Sequence, residues 1–383
     1  VMPALLLLFL LPALPARADG PPVRLTQWGT LGSENDQFIE PAGIDVDTAG
    51  NVYVADSGNF RVQKFDNEGN FLLMWGFNVN TGGPPEDAVF EICTAGTLPC
   101  YAGVSGTEVK QFKGLTGIAV DSAGNVYTTE YFPDPGTSTY HARVQKFDSS
   151  GNYVTQWGSY GTGDGQFQGL VGVAVDSIGN VYTIEFSLSS TPFHARVQKF
   201  DSSGIYVDQW GSAGAGDGQF FQAAGIAVDS AGDVYVSDLG RVQKFDNSGT
   251  FVSQLGGLGS GAGEFALPAG LSIDSSDNVY VSDRDAHRIQ KFDSSGNFLL
   301  MWGFDVNTGL TSVGAVYEGC TPATLPCYPG FPGSDDGQFT APADVAVDSA
   351  NNVFVLEETG NRVQKFGQPP LLLTKSVNDD TPA

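Results

Sequence analysis

Hydrophobic residues in this chain come in short runs separated by small polar residues. Each run spans four to six residues rich in Val, Ile, Tyr and Phe, and Asp, Asn, Ser and Gly bound it on both sides. Runs of this length and composition, with turn-forming residues between them, predict β-strands joined by tight turns. No long segment has the helical period. The pattern therefore predicts an all-β protein.

One of these strands recurs almost unchanged along the chain. The pentapeptide Arg-(Val/Ile)-Gln-Lys-Phe occurs six times, starting at Arg61, Arg143, Arg196, Arg241, Arg288 and Arg362. Each copy belongs to a unit of short strands whose first strand starts at Gly43, Gly117, Gly172, Gly225, Gly270 or Asp344. Four sequential short strands make an antiparallel meander, which buries both faces when the units stack radially. We therefore expect a six-bladed β-propeller of four-stranded antiparallel blades.

The sixth unit has no fourth strand after Phe366, and a matching strand occurs at the other end of the chain. Residues 23–29 (VRLTQWG) match the fourth strand of the second unit, residues 153–158 (YVTQWG). The N-terminal strand is thus expected to pair beside residues 362–366 and to close the ring, which leaves no open gap between blades. The propeller would then occupy residues 20–367.

The repeated motifs resemble the NHL repeat. They comprise a Gly-Ile-Ala-Val-Asp strand, Gly-Asn-Val-Tyr-Val-x-Asp, Asn/His-Arg-Val-Gln-Lys-Phe and an aromatic-Gly end, and they recur in order between about residues 23 and 367. The resemblance implies a six-bladed propeller, which agrees with the count. It also implies relatives of two kinds: intracellular NHL domains that bind RNA through a basic surface, and peptidyl-amidating lyases with a metal and a catalytic Arg. The histidine arrangement of those lyases is absent from this sequence, and we predict no catalytic residue.

The charge distribution argues against the RNA-binding role. The net charge is −25, and 12 of the 18 Lys and Arg residues belong to the six pentapeptides. The remaining cations are Arg17, Arg24, Lys110, Lys113, Arg284 and Lys375. A basic face cannot be assembled from so few, and phosphate contacts carry most of the affinity for nucleic acid. We expect no nucleic-acid partner.

The two ends of the chain indicate export. Residues 1–18 contain an apolar run that is short and rich in proline for a membrane span, and it ends in Ala-Arg-Ala, so we interpret it as a signal peptide rather than an uncleaved anchor. Residues 368–383 are expected to be a linker and the start of a further domain. Residues 373–382 resemble the opening strand of an Ig-like repeat of bacterial surface proteins; a disordered tail is the alternative. We expect a monomeric propeller within a larger extracellular or cell-surface chain.

The four cysteines form two copies of one motif, Cys-Thr-x-x-Thr-Leu-Pro-Cys, at Cys93, Cys100, Cys320 and Cys327. Four cysteines allow three pairings. Pairing within each motif is favoured, because the motifs belong to different blade junctions. A zinc site is the alternative, but the spacing is wider than in the usual zinc pairs.

Four insertions interrupt the repeat: residues 77–111 and 304–338 between blades, and residues 131–142 and 186–195 within the hairpins of blades two and three. All are expected on one face of the disc, where loops over a rigid scaffold commonly bind ligands. Their aromatic and histidine side chains are candidates for binding a protein or a carbohydrate, or else pack the insertions onto the disc. The candidates are Phe90, Tyr101, Tyr131, Phe132, Tyr140, His141, Phe186, Phe193, His194, Tyr317, Tyr328 and Phe331.

Two further patterns could mark a metal. The three histidines precede repeated arginines, and the NHL repeat itself often has His there. A carboxylate ends the second strand of every unit, at Asp56, Glu130, Glu185, Asp238, Asp283 and Glu357. These six could form a calcium funnel, but we expect each to pair with the Arg across its hairpin. We therefore expect no cofactor, with calcium as the alternative. The second function considered is a metal-dependent hydrolase or lyase with its metal on the channel axis.

Overall fold

The computed structural model of the chain describes residues 21–81, 89–133, 140–187, 193–304, 306–307 and 317–368. In these ranges six antiparallel sheets form the blades of a propeller. The only helix in them is a single 3-10 turn, Ser57–Asn59. The expected all-β, six-bladed fold is confirmed. The predicted signal peptide and the predicted linker lie outside the described residues.

Blades two, three and four contain four strands each, paired in sequential order. Blade two consists of Leu115–Val120, Val126–Pro133, Tyr140–Phe147 and Tyr153–Trp157. Blade three consists of Leu170–Val175, Val181–Ser187, His194–Phe200 and Tyr206–Trp210. Blade four consists of Ile226–Val228, Val234–Asp238, Arg241–Phe245 and Phe251–Leu255. A short parallel pair, Ser212–Ala213 with Gln219–Phe220, lies in the crossing between blades three and four.

Blades one and five carry a fifth strand that the sequence did not predict. Blade one consists of Pro41–Val46, Val52–Asp56, Arg61–Phe65, Phe71–Phe77 and the added strand Phe90–Thr94. Blade five consists of Pro268–Ile273, Val279–Asp283, Arg288–Phe292, Phe298–Phe304 and the added strand Tyr317–Cys320. Both added strands pair antiparallel with the fourth strand, on the outer rim of the disc. The two long crossings therefore run partly along the rim rather than only over one face.

Blade six is shared between the two ends of the chain. Its first three strands are Pro342–Val347, Val353–Glu357 and Arg362–Gly367, and its outer strand is the N-terminal Val23–Trp28. Val23 lies opposite Gly367, and Trp28 lies opposite Val363. Closure of the ring by the N-terminal strand is confirmed.

The pentapeptide joins each blade to both of its neighbours, because successive side chains of a strand point to opposite faces. In blade one, Val62 and Lys64 face blade two: Val62 packs beside Phe147 and Trp75, and the Lys64 ammonium donates to the Ser149 carbonyl at 3.2 Å. Phe65 faces blade six, where its ring centroid lies 5.8 Å from that of Trp28. Six apolar clusters of this kind fill the six junctions.

Closure is expected to depend on the tryptophan of the N-terminal strand. Trp28 packs on Phe65 of blade one and Phe354 of its own blade. Trp28→Ala should lower the free energy of unfolding by about 2–4 kcal/mol, because it opens a cavity at the closing junction. Leu25→Ala on the same strand is the control and should cost less than about 1 kcal/mol, since Leu25 is 50% exposed. Urea unfolding of both variants measures the difference, and equal losses would contradict this account of closure.

Candidate functional site

The hairpins between second and third strands and the crossings between blades meet at one end of the disc, which we call the crossing face. Three tyrosines cluster there at the junction of blades two and three. The Tyr131 and Tyr140 rings stack with centroids 4.9 Å apart and planes within 5°, and Tyr160 lies 5.4 Å from Tyr140. The Gln168 amide donates to the Tyr160 hydroxyl at 3.1 Å. We call Tyr131, Tyr140 and Tyr160 the tyrosine platform.

The platform is built by an extended hairpin and one crossing loop. Strands Val126–Pro133 and Tyr140–Phe147 are longer than the matching strands of blade one, and this extra length carries Tyr131 and Tyr140 beyond the disc. All three rings stay partly exposed. Burial, reinforced by the neighbouring tyrosines, raises the pKa of the Tyr131 hydroxyl to about 12. The group is therefore a neutral hydrogen-bond donor at physiological pH.

The other candidate residues of blade two pack within the blade. Phe132 is buried, and the His141 ring stacks on it with centroids 5.2 Å apart. The Lys113 ammonium lies 4.7 Å from the centre of the Phe132 ring, a distance typical of a cation–π contact. These residues support the hairpin that carries the platform.

The candidates of blade three divide between surface and interior. Phe193 is 55% exposed, whereas Phe186 is half-buried against blade four. The His194 imidazole lies 3.3 Å from a Glu185 carboxylate oxygen. Phe193 and His194 line a cavity of about 340 Å³ that also contacts Arg196 and Trp210.

The candidates of the two long crossings also take different roles. Phe90 and Tyr317 lie on the added strands and stack on the pentapeptide phenylalanines of the next blades, Phe147 and Phe366, with centroids 6.1 and 5.8 Å apart. Tyr317 also donates its hydroxyl to the Pro22 carbonyl. These two rings are occupied in packing between blades.

The remaining aromatics of the long crossings stay at the surface. Tyr101 and Tyr328 are 42% and 39% exposed, and Phe331 is half-buried. The disulfides beside them join Cys93 to Cys100 and Cys320 to Cys327, with Cα atoms 5.8 Å apart in each. The predicted pairing within each motif is confirmed. Each disulfide closes the loop that follows an added strand.

The six carboxylates that end the second strands each pair with the Arg of their own blade. Every pair has a nitrogen–oxygen distance between 2.6 and 3.2 Å, and every carboxylate is buried. The expected cross-strand salt bridges are confirmed. In blade one, the Asp56 carboxylate also accepts from the Ile39 amide, the Asn59 amide and the Gln63 amide. Four protein groups thus surround this carboxylate.

Each Arg of these pairs also holds the crossing loop that enters its blade. The Arg61 guanidinium donates to the carbonyl oxygens of Ser33, Glu34 and Gln37 at 2.7–2.9 Å. The lysines of the pentapeptides lie over the ring of the second-strand Tyr, or Phe354 in blade six, at 4.8–5.4 Å. The twelve repeated cations therefore have structural partners.

The Asp residues of the turns between first and second strands cap those turns. The Asp47 carboxylate accepts from the Ala49 and Asn51 amides and from the Tyr53 hydroxyl. Burial by itself raises the pKa of Asp47, but hydrogen bonds from the Asn51 side chain and amide and from the Tyr53 hydroxyl, together with the Lys64 charge, lower it below its usual value. Asp121, Asp176, Asp229, Asp274 and Asp348 repeat the amide contacts.

The first strands line a channel on the axis, with a cavity volume of about 640 Å³. Glycine occupies one equivalent position at the start of this strand's repeat in five blades, where it allows close approach: a Cβ on Gly117 would lie 3.2 Å from the Cα of Gly172. In blade six Asp344 stands at this position, and in blade one Asp45 stands where four other blades have Ala. The channel therefore contains two carboxylates that depart from the repeat.

Both channel carboxylates link their blade to the next one. Asp344 accepts from the Ile44 amide at 3.0 Å, and Asp45 accepts from the Val120 amide at 2.7 Å. Both side chains reach the channel lumen, yet protein surrounds them. This burial raises the pKa of Asp45 to about 6 and that of Asp344 to about 7, and each value is raised further by another nearby carboxylate. Two acids with pKa values near neutrality can exchange protons at physiological pH.

The histidines do not share a site. His287 accepts the Ala341 amide at its Nδ1 atom, His141 stacks on Phe132, and His194 lies beside Glu185. Among the residues that the structure describes, no three His, Cys, Asp or Glu side chains form a group that could hold a metal ion. No helix in the same ranges has the length and apolarity needed to span a membrane.

The ring of stacked blades defines the molecule as a six-bladed β-propeller. The sequence model of the NHL repeat matches two of these blades, at residues 38–65 of blade one and residues 265–292 of blade five. The Drosophila melanogaster Protein brain tumor is 24% identical over 185 residues, which is 48% of this chain and 14% of that protein. The chain thus spans a small part of this relative's length.

Two solved structures have the same fold. A Bacteroides thetaiotaomicron structural genomics protein of unknown function superposes with a TM-score of 0.54 at 16% identity, over 89% of this chain and 73% of that one. A streptogramin B lyase superposes with a TM-score of 0.51 at 11% identity, over 90% of this chain and 97% of that one. Identities this low show the shared propeller fold alone.

The carboxylate–arginine pairs are expected to dominate local stability. Burial raises the pKa of Asp56, opposed by the Arg61 charge, and burial lowers the pKa of Arg61. Asp56→Ala would leave the guanidinium without its counter-charge and should cost about 3–5 kcal/mol. Asp66→Ala, in an exposed turn, is the control and should cost about 1 kcal/mol. Urea unfolding measures the loss of unfolding free energy in both variants. A smaller loss in Asp56→Ala than in Asp66→Ala would overturn the structural role of the pair.

The channel carboxylates should make stability depend on pH. Their folded pKa values exceed the unfolded value of about 3.9, so the folded state binds more protons and stability falls as pH rises from about 5 to about 8. Asp344→Asn should reduce the loss of unfolding free energy between about pH 5 and about pH 8, measured by urea unfolding at each pH. Asp66→Asn is the control, because the pKa of Asp66 is lowered, by hydrogen bonds from its turn. An unchanged slope in Asp344→Asn would refute the raised pKa.

Proposed function

We propose that this chain is an extracellular or cell-surface scaffold that binds a protein or a glycan through its crossing face. The observation that carries the proposal is the exposure of aromatic and apolar side chains on this face. Besides the tyrosine platform, Leu31 and Leu258 are 70% and 72% exposed at equivalent positions of two crossing loops, and Phe193 lies near the platform's blade. Exposed aromatic side chains that contact one another, as in the tyrosine platform, are typical of interaction surfaces.

The geometry of the platform suits a flat ligand face. Stacked, partly exposed tyrosine rings offer apolar contact area together with hydroxyl groups that donate hydrogen bonds, which is the combination used both for protein anchors and for sugar rings. The Gln168 side chain fixes the Tyr160 hydroxyl. A platform fixed in this way loses little side-chain entropy when it binds a ligand.

The disulfides support an extracellular location, since such bonds persist in oxidising compartments. The net charge of −25 supports a partner other than a nucleic acid. We further propose that the propeller acts as a monomer within a longer exported chain, in agreement with the signal peptide inferred from residues 1–18.

The binding role is tested with a printed glycan array and a displayed peptide library, which separate the two ligand classes. Tyr140→Ala should weaken binding of any selected ligand by about tenfold or more, because it removes the central ring of the platform. Ile178→Ala is the control: Ile178 is 82% exposed but lies in a turn of the opposite face. If Tyr140→Ala binds the ligand as tightly as the parent protein, the tyrosine platform is not the binding surface.

A second function is favoured by one observation, the pair of Asp45 and Asp344 in the axial channel. Their raised pKa values suit general acid–base chemistry on a substrate that enters the channel. Since a streptogramin B lyase shares the fold, streptogramin B is a reasonable first probe, followed by a panel of lactones and esters. Any turnover should be lost in Asp344→Asn and kept in Tyr140→Ala.

A further inference from the structure

The added strands of blades one and five show how the rim of a blade accepts an extended segment. In blade one, Phe90–Thr94 pairs with the outer strand, with Ile92 opposite Trp75 and Cys93 opposite Met74. Trp75 is fully buried under it. After the disulfide loop the segment returns, and the Tyr101 carbonyl accepts from the Arg61 guanidinium at 2.9 Å.

Blade five repeats the arrangement in full. Trp302 is fully buried, with Gly319 of the added strand opposite it. The Tyr328 carbonyl accepts from the Arg288 guanidinium at 3.2 Å. We call each added strand with its disulfide loop the occupant of its blade, and the outer-strand edge with the Arg beside it the seat. Because two blades have the same seat, the seat is a feature of the blade and not of one loop.

Blade three has the same seat without an occupant among the described residues. The cavity of about 340 Å³ lies there, lined by Phe193, Arg196, Trp210 and Gly211. Trp210 remains half-exposed, as do Trp157 of blade two and Trp28 of blade six, whereas Trp75 and Trp302 are fully buried. One terminal nitrogen of Arg196 donates to the Thr162 carbonyl and to the Gln209 side chain, so Gln209 supplies the acceptor that the Tyr101 carbonyl supplies to Arg61.

The outer strand of blade three, Tyr206–Trp210, also offers an edge for pairing. The Gln209 amide donates to the carboxylate of its neighbour Asp208 at 2.8 Å. Gln209 corresponds to Met74, which lies opposite Cys93 of the added strand in blade one. An added strand would therefore meet an edge that no described residue pairs with, beside an open cavity, which is the situation in which sheets take up peptides.

We propose that the rim of blade three binds an extended peptide of a partner protein as a fifth strand. The peptide backbone pairs antiparallel with Tyr206–Trp210, and an apolar side chain enters the cavity beside Trp210. The inference goes beyond the proposed function, because this seat lies on the rim and not on the tyrosine platform; Tyr140→Ala should leave it intact.

The probe is a free 15-residue peptide with the sequence of residues 89–103 (VFEICTAGTLPCYAG), the segment that fills the seat of blade one. Its two cysteines are joined in a disulfide. The Ala95 amide donates to the Leu72 carbonyl, so by alternation the amides of residues 91 and 93 also face the outer strand. N-methylation at Glu91 should weaken binding to the full chain by about tenfold or more. N-methylation at Ile92, whose amide points away, should leave binding within about twofold. Isothermal titration calorimetry measures both.

A pair of matched variants locates the seat. Gln209→Pro removes the edge amide of blade three, and Gln254→Pro makes the same change in blade four, where Gln254 has the equivalent contact with Arg241. A proline at an edge amide costs no ladder hydrogen bond, and thermal unfolding checks that both variants fold. Gln209→Pro should lose about tenfold or more in peptide affinity and Gln254→Pro less than about twofold.

Several results would overturn the proposal. These are no binding at millimolar peptide, equal weakening by both N-methyl groups, or equal affinity of the two proline variants. Self-association of the full chain that Gln209→Pro abolishes, without peptide binding, would instead assign the seat to a second copy of the chain.

Discussion

The buried ion pair between the second and third strands of each blade is the interaction on which the propeller depends. One guanidinium joins three separate pieces of chain: the carboxylate of strand two, its own strand three, and the carbonyl oxygens of the crossing loop that arrives from the previous blade. Burial penalises both charges, so the pair depends on the further hydrogen bonds that the guanidinium and the carboxylate make to the groups around them. In the pentapeptide, the Arg fixes the blade to the incoming crossing, and the Val and Phe fill the junctions on either side. The Lys of blades one, two, three and six also donates to a carbonyl of the next blade. The side chains of the crossing face can vary above this frame, because the Arg residues contact backbone carbonyl oxygens of the crossing loops.

Much of this frame could be predicted from the sequence, because the repeat reports it six times over. The four-residue hairpin of blade four, from Asp238 to Arg241, already required the carboxylate to meet its Arg. The N-terminal strand could be assigned to blade six because the sixth unit lacked a fourth strand and residues 23–29 supplied its sequence. The local disulfides followed from two identical motifs in different junctions.

The features that the sequence did not predict lie where the repeat gives no information. The added strands occur in insertions that have no counterpart in four of the blades, so neither period nor register marks them. Tyr131 and Tyr140 were recognisable as insertion aromatics, but Tyr160 lies in a crossing loop that otherwise matches the repeat. An alignment of the six first strands would have marked Asp45, which replaces Ala, and Asp344, which replaces Gly. It would not have shown that both carboxylates lie in the axial channel, because that follows from the closed ring.

The register of the closing blade has a mechanical consequence. Val23 pairs with Gly367, so the first and last described strands leave the disc side by side at the same end. A pulling force applied through both flanking segments would act across that pair and separate the two strands one residue pair at a time, as a zipper opens, rather than shear all their hydrogen bonds at once. The point of attachment in a tethered chain is thus also the place where the ring opens under load, and Arg24, bonded to Asp336 of the neighbouring crossing, is among the first contacts that such a force must break.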